Sequence, residues 1–231
     1  MGRITYYGHA AFRLELDGKN ILIDPWLDNP LSPVKPNDVR DIDIVIITHA
    51  HGDHVGNAEQ ILRNNPNSKL VAIYELASDV GSKAGIDQSR IIGGNIGGPM
   101  RVDGIEIALT PATHSSQGIG NPTGVIVRGR EGTVYHAGDT GVMMDMKLIR
   151  EIYKPHIALL PIGGHFTMDP IEAAKAVELL NPRVAIPMHY ATFPVLYGKP
   201  EDFKKLVESK CLPTDVVILK PGESYEFDFS K

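Results

Sequence analysis

Cysteine is almost missing from this 231-residue chain. Cys211 stands alone, which excludes an intrachain disulfide framework and any zinc site built on several thiolates. Aromatic residues amount to 6%, with a single tryptophan. No apolar run approaches the ~20 residues that a membrane-spanning helix needs. The N-terminal stretch MGRITYYGHAAFRLELDG alternates apolar and polar residues and lacks the apolar core of a secretory signal. An excess of positive charge is absent too: 23 Lys and Arg face 28 Asp and Glu, for a net charge of −5. That balance lends no electrostatic support to nucleic acid as a main partner. A soluble cytoplasmic protein without a membrane or nucleic-acid partner is expected.

What the chain has is ordinary globular material, 42% hydrophobic and 22% charged, and enough length to bury a sizeable core. ITYY, AFRLEL and NILID read as a hairpin meander, broken at Gly8-His9-Ala10 and Asp17-Gly18-Lys19. DPWLDNPLSPVKPNDV, with four prolines, reads as a loop. IDIVII is a buried strand, THAHGDH a loop and VGNAEQILRN a short helix. Further strands are expected at KLVAI, IEIALT, TGVIVRG, TVYHAG, IALLPI, RVAIPM, VVILK and SYEFDF. Helices are expected at YELASDVGSKAG, MMDMKLIREIY, PIEAAKAVELL and PEDFKKLVESK. No linker divides them, so residues 1–231 are expected to form a single α/β domain of sheets flanked by helices.

Three of the nine histidines crowd into THAHGDH, directly after the apolar run Ile44–Ile47. On an extended segment, residues two apart project to the same side, so His49 and His51 can bind one metal together. Gly52 permits a sharp change of direction, after which Asp53 and His54 can face a neighbouring position. Neutral imidazole and carboxylate suit zinc, iron or manganese. Such a pattern is expected by chance only about 10⁻³ times in a chain of this composition. Four residues rarely satisfy two metals, so further ligands should follow other strand ends. His114 follows IEIALTPAT, Asp139 follows TVYHAG and His189 follows RVAIPM. Taken singly, each has a plainer reading: a surface loop histidine, a turn or cap aspartate, a core histidine.

HAHGDH, a lone His, Gly-Asp-Thr and a late His, in this order along nearly the whole chain, resemble the metallo-β-lactamase superfamily. GHAAF, LIDPW, YHAGDT, PIGGHFTMDP and PMHY more narrowly resemble its metal-dependent hydrolases of poorly defined substrate, related to ascorbate-6-phosphate lactonases. The resemblance implies a four-layer αββα sandwich with a dinuclear centre at one edge of the two sheets. It implies His49, His51 and His114 on one metal, Asp53, His54 and His189 on the other, and Asp139 bridging. An aspartate at that bridging position is similar to the glyoxalase and lactonase type rather than to true β-lactamases. Flavodiiron proteins carry Glu where this chain has His51, and the extra domain or basic arm of the nucleases is not visible.

The expected function is a dinuclear metal-dependent hydrolase acting on a small ester, lactone, amide or phosphoester, with two divalent ions, zinc first and manganese or iron as alternatives. Two such ions about 3.5–4 Å apart share a water and bring its pKa toward 7. Asp53 would orient the nucleophile and pass its proton to the leaving group. The alternatives are a metal-containing redox or binding protein on the same scaffold, or a nuclease. His165 follows the strand IALLPI and is expected in the pocket as oxyanion donor or acid, with Gly163 and Gly164 letting backbone approach a ligand. His9 and Tyr190 are candidate pocket residues, and Asp24 a candidate acceptor behind a ligand imidazole. His136 and His156 read as structural, and Met143, Met144 and Met146 as core residues opening a helix. Loop 28–38 and segment 191–200 would shape the pocket or a homo-oligomer contact.

Overall fold

In the computed structural model, which describes residues 1–230, the apolar runs become strands of two seven-stranded sheets. The first begins with β1 (Gly2–Tyr6), β2 (Phe12–Leu16) and β3 (Lys19–Ile23), an antiparallel meander. It continues in parallel through β4 (Ile44–Ile46), β5 (Lys69–Ile73) and β6 (Ile91–Gly94). The second sheet starts with β7 (Met100–Val102), β8 (Ile105–Pro111), β9 (Thr123–Gly129) and β10 (Gly132–His136), all antiparallel. It then turns parallel through β11 (Ile157–Pro161), β12 (Val184–Met188) and β13 (Asp215–Val216). The chain returns with β14 (Ser224–Phe227) to pair with β1.

Period-two alternation explains why the second sheet is covered on both faces. Ile107, Leu109, Val125, Val127, Leu159 and Ile186 join a core shared with the first sheet. Their neighbours Ala108, Ile126, Leu160 and Ala185 point the other way, into a second core. That second core is closed by α4 (Asp145–Tyr153), α5 (Pro170–Leu180) and α6 (Pro200–Ser209). The far side of the first sheet is covered by α2 (Ala58–Asn64) and α3 (Tyr74–Ala84), which follow the short α1 (Gly52–Val55). The layers run helix, sheet, sheet, helix, as expected. Among the described residues no helix is long and apolar enough to cross a membrane.

Several local expectations are corrected. The helix expected over VGNAEQILRN is two helices, and the first begins inside THAHGDH. The break falls at Gly56, whose φ is 44 and where a Cβ would meet Trp26 Cα at 2.4 Å. Helix α4 starts only at Asp145, so Met146 is buried while Met144 is 67% exposed and Met143 half-buried. Strands β6 and β7 were not expected: glycine weakens the signal of β6, and β7 is only three residues long. Gly93 and Gly94 allow β6 to pass close to Tyr74 and Met100. Of VVILK, only Val216 lies in a strand.

The strands that matter for function run the same way within each sheet. β1, β3 and β4 are mutually parallel in the first, and β8, β10 and β12 in the second. Their carboxyl ends meet along one edge, stitched by Thr123 N–H to Thr48 C=O at 3.0 Å and His189 N–H to His9 C=O at 2.7 Å. Open α/β sheets place their ligands outside such strand ends.

Candidate metal centre

Each potential ligand sits just past one of these carboxyl ends. After β4 the chain stays extended, and His49 Nε2 and His51 Nδ1 come within 2.9 Å of each other. Helix α1 then turns Asp53 and His54 back toward the same edge. His114 follows β8, Asp139 follows β10 and His189 follows β12. Asp139 is the hub. One of its oxygens is 3.2 Å from His54 Nε2; the other is 3.1 Å from His189 Nε2, 3.5 Å from His114 Nε2 and 3.9 Å from His49 Nε2.

Donor atoms lie within 4.8 Å of one another in three overlapping groups: His49, His51 and His114; His49, His54 and Asp139; and His9, Asp53, His54 and His189. His54 Nε2, His189 Nε2 and Asp139 Oδ1 are buried without a hydrogen-bond partner. Buried polar atoms are almost always satisfied, so three such atoms converging on one point fit a cation. Imidazole and carboxylate donors without thiolate suit zinc, manganese or iron.

A surrounding layer aims these donors. Asp24, fully buried at the end of β3, accepts from Thr48 N–H at 2.8 Å and Thr48 Oγ1–H at 2.7 Å. It also accepts from His54 Nδ1 at 2.7 Å, which leaves His54 Nε2 free for the centre. The Thr48 hydroxyl, its proton given to Asp24, is 3.0 Å from His49 Nδ1 and accepts from it. His9, buried in the β1–β2 turn, has Nδ1 2.6 Å from Thr192 Oγ1 and Nε2 2.9 Å from Asp53 Oδ2.

The electrostatics follow from packing carboxylates and imidazoles together away from water. Burial opposes a charge on Asp139, but His189 and His54 outweigh it and hold the carboxyl well below its ordinary range. Burial likewise opposes a proton on His54, yet Asp139 and Asp24 push its pKa well above normal. His189 is raised to about 9 against burial by Asp139, and Asp53 is held low against burial by His189 and His9. Burial pushes His49 down to about 2 and His9 to about 4, helped by the neighbouring His54 and His189 respectively. Without metal, the neighbouring carboxylates favour protons on His54 and His189, and a cation would take over that task.

Above the centre opens a cleft of about 760 Å³. His51, Asp53, His114, Asp139 and His189 form its floor, and Trp26, Phe166, Phe193, Pro194 and Val195 its walls. The expectation that segment 191–200 shapes the pocket therefore applies to 193–195. His165 is exposed, with φ 61, and packs edge-on against Phe166; Phe166 is the residue lining the cleft. Tyr190 packs against the helical core and lies 6.4 Å from Tyr6, away from the lining residues. Burial pushes its phenol up to about 12. Gly163 admits protein backbone rather than a ligand: a Cβ there would lie 2.1 Å from His189 O. His136, fully buried, is 2.9 Å from the Ala10 carbonyl, and His156 stacks on Phe229. Trp26 was not among the expected site residues, and Thr192 and Phe193 were covered only by the expectation for segment 191–200 as a whole; the one available signal was an aromatic residue beside a strand-end loop.

A family model described as Beta-lactamase superfamily domain matches residues 3–189. The chain is 60% identical over 243 residues to a UPF0173 metal-dependent hydrolase of Aeropyrum pernix, covering 100% of each. It is 53% identical over 230 residues to one from Hyperthermus butylicus, covering 98% of this chain and 100% of that one. The solved structure of a metallo hydrolase from the hyperthermophilic archaeon Ignicoccus hospitalis has a TM-score of 0.89 at 47% identity, covering 98% of this chain and 99% of that chain. An isothiocyanate hydrolase from Delia radicum gut bacteria has a TM-score of 0.80 at 21% identity over 98% and 99% of the two chains, a likeness of fold. With a matching domain model over most of its length and relatives this similar from end to end, the chain belongs to the UPF0173 family of metal-dependent hydrolases, within the metallo-β-lactamase superfamily.

Proposed function

We propose that the protein is a dinuclear metallohydrolase that cleaves a small ester, lactone, amide or phosphoester. His49, His51 and His114 would hold one divalent ion, Asp53, His54 and His189 the other, and Asp139 would lie between them. Zinc suits this donor set first, with manganese or iron also accepted. The carrying observation is that His54 Nε2, His189 Nε2 and Asp139 Oδ1 cluster together, all buried and without a hydrogen-bond partner. Two ions held there supply Lewis acidity and a nucleophile at neutral pH.

The chain's own groups then divide the remaining work. Asp53, partly open to the cleft and held by His9, orients water and accepts its proton. In an ester, the water oxygen joins the carbonyl carbon, the bond to the alcohol oxygen breaks, and that oxygen receives the proton through Asp53. Asp24 and Thr48 keep His54 and His49 turned toward the centre, a second layer that sustains metal affinity. This reading gives the proton transfer to Asp53 and leaves out His165, which packs on Phe166 at the exposed rim.

The test combines metal analysis of the purified protein with parallel assays on lactone, carboxyl ester, amide and phosphodiester substrates. Two metal equivalents and turnover of at least one class are expected. Asp139→Asn should lower metal content and activity together, by 100-fold or more in rate on the order expected for loss of a catalytic electrostatic group. Full metal content and full activity in that variant would overturn the assignment.

A further inference from the structure

We infer that the cleft beside the metal centre is a subsite for the aryl or medium-length alkyl group of an uncharged substrate; this rests on the hydrolase reading and names its substrate class. The wall is aromatic and continuous with the centre. Trp26 and Phe193 stack with ring centroids 5.5 Å apart and an interplanar angle of 18°. Each also stands edge-on to His9, at 4.9 Å and 5.5 Å. The same cleft is lined by two large apolar side chains left to water, Phe166 at 51% and Val195 at 45% exposure. Scattered apolar residues on a surface mean little, but apolar residues gathered in a concavity beside convergent polar groups mark a ligand site.

The wall is also built in advance. Asn57 N–H donates to Pro25 C=O at 2.9 Å, and Asn57 Oδ1 accepts from Leu27 N–H at 2.8 Å, so the Trp26 loop is pinned to the turn after α1. On the other side, Leu196 N–H donates to Phe193 C=O and Gly198 N–H to Gly163 C=O, each at 3.1 Å. Little ordering entropy is left for a ligand to offset.

Charge narrows the occupant. Among the described residues lining the cleft there is no Lys or Arg, while two carboxylates, Asp53 and Asp139, are present. A phosphomonoester or a free carboxylate away from the metals would find no cationic partner of the kind such groups require. The volume of about 760 Å³ suits a small molecule rather than a polymer segment.

Trp26 is the only tryptophan in the chain, so intrinsic fluorescence reports on this wall directly. The metal-free protein is titrated with 1-butanol, 1-hexanol, 1-octanol, phenol and phenyl phosphate. Kd is expected to fall about fourfold per added methylene, and phenyl phosphate to bind no more tightly than phenol. Phe193→Ala should weaken 1-octanol about tenfold, while Phe193→Leu, which keeps the wall filled, should retain most of the affinity. In parallel, kcat/KM of the metal-loaded enzyme is measured on 4-nitrophenyl acetate, butyrate and hexanoate, and should rise along the series. A flat alcohol series, or tighter binding of phenyl phosphate than of phenol, would overturn the subsite. Alcohols that bind with the expected slope while no ester, lactone, amide or phosphodiester turns over would sustain the subsite and sink the hydrolase reading. Ester turnover with no dependence on chain length would do the reverse.

Discussion

The backbone N–H of His189 donates to the carbonyl of His9 at 2.7 Å, joining the end of β12 in one sheet to the β1–β2 turn in the other. Both residues occupy the left-handed region, with φ of 57 and 55, a conformation that costs a non-glycine residue about 1 kcal/mol or more. It persists because packing from both sheets holds it. The two histidine rings lie 4.0 Å apart, and His9 reaches on to Asp53, so one turn orients donors from both sheets.

His9→Ala removes the partner of Asp53 and leaves His49, His51 and His114 untouched. With two ions bound as proposed, one metal equivalent should weaken about tenfold or more and the other stay unchanged in a chelator competition titration. Equal weakening of both equivalents would count against a local role for His9.

Asp24→Asn tests the support behind the ligands. Asp24 accepts three hydrogen bonds in a fully buried position, and an amide nitrogen cannot accept. Stability in urea with chelator should fall by about 3 kcal/mol. Metal affinity should fall about 10- to 100-fold. An unaltered unfolding midpoint would show that Asp24 is dispensable.

The metal-free protein should be most stable in the mild acid to neutral range. His189, raised to about 9, contributes stability that is fully present below its unfolded pKa of about 6.5 and is lost as pH rises through about 9. Asp139, held well below its ordinary range, contributes stability present above about 4 and lost as pH falls further. Between pH 6.5 and 9.5 the Tm of chelator-treated protein should drop on the order of 5 °C. Metal-loaded protein, whose histidines are occupied, should show little change over that span. Parallel Tm curves with and without metal would refute this.

Gly163→Ala is a steric test made without touching a ligand side chain. The added Cβ would meet the His189 carbonyl at 2.1 Å, and that carbonyl is backbone that cannot rotate aside. Metal content should drop while far-UV circular dichroism stays unchanged. Crystallography of the variant should show the 189–193 segment moved away from Gly163.

The candidate ligands past β4, β8, β10 and β12 could be picked out because their positions depend on local rules. Alternation marks a strand, and a polar histidine or aspartate just after one marks a strand end facing solvent or a site. Asp24 was legible for the same reason. His9 and the cleft wall were not readable at that level. Trp26 stacks on Phe193 across a long stretch of chain, and no periodicity relates two loops. His165 and Phe166 are adjacent in a loop with left-handed backbone at His165, so no repeat says which of them faces inward. Tyr190 and Phe193 pose the same problem, and Phe193 is the one that lines the cleft.

Local pattern alone therefore pointed to the candidate donors: imidazoles and carboxylates at strand ends. It did so because donor type and strand position are properties of a few neighbouring residues. The convergence on Asp139, the His9–Asp53 contact and the apolar wall arose only when the two sheets packed face to face and brought their strand ends to one edge. Those relations join loops far apart in the chain, and their distances are set by sheet packing rather than by any residue's own preference.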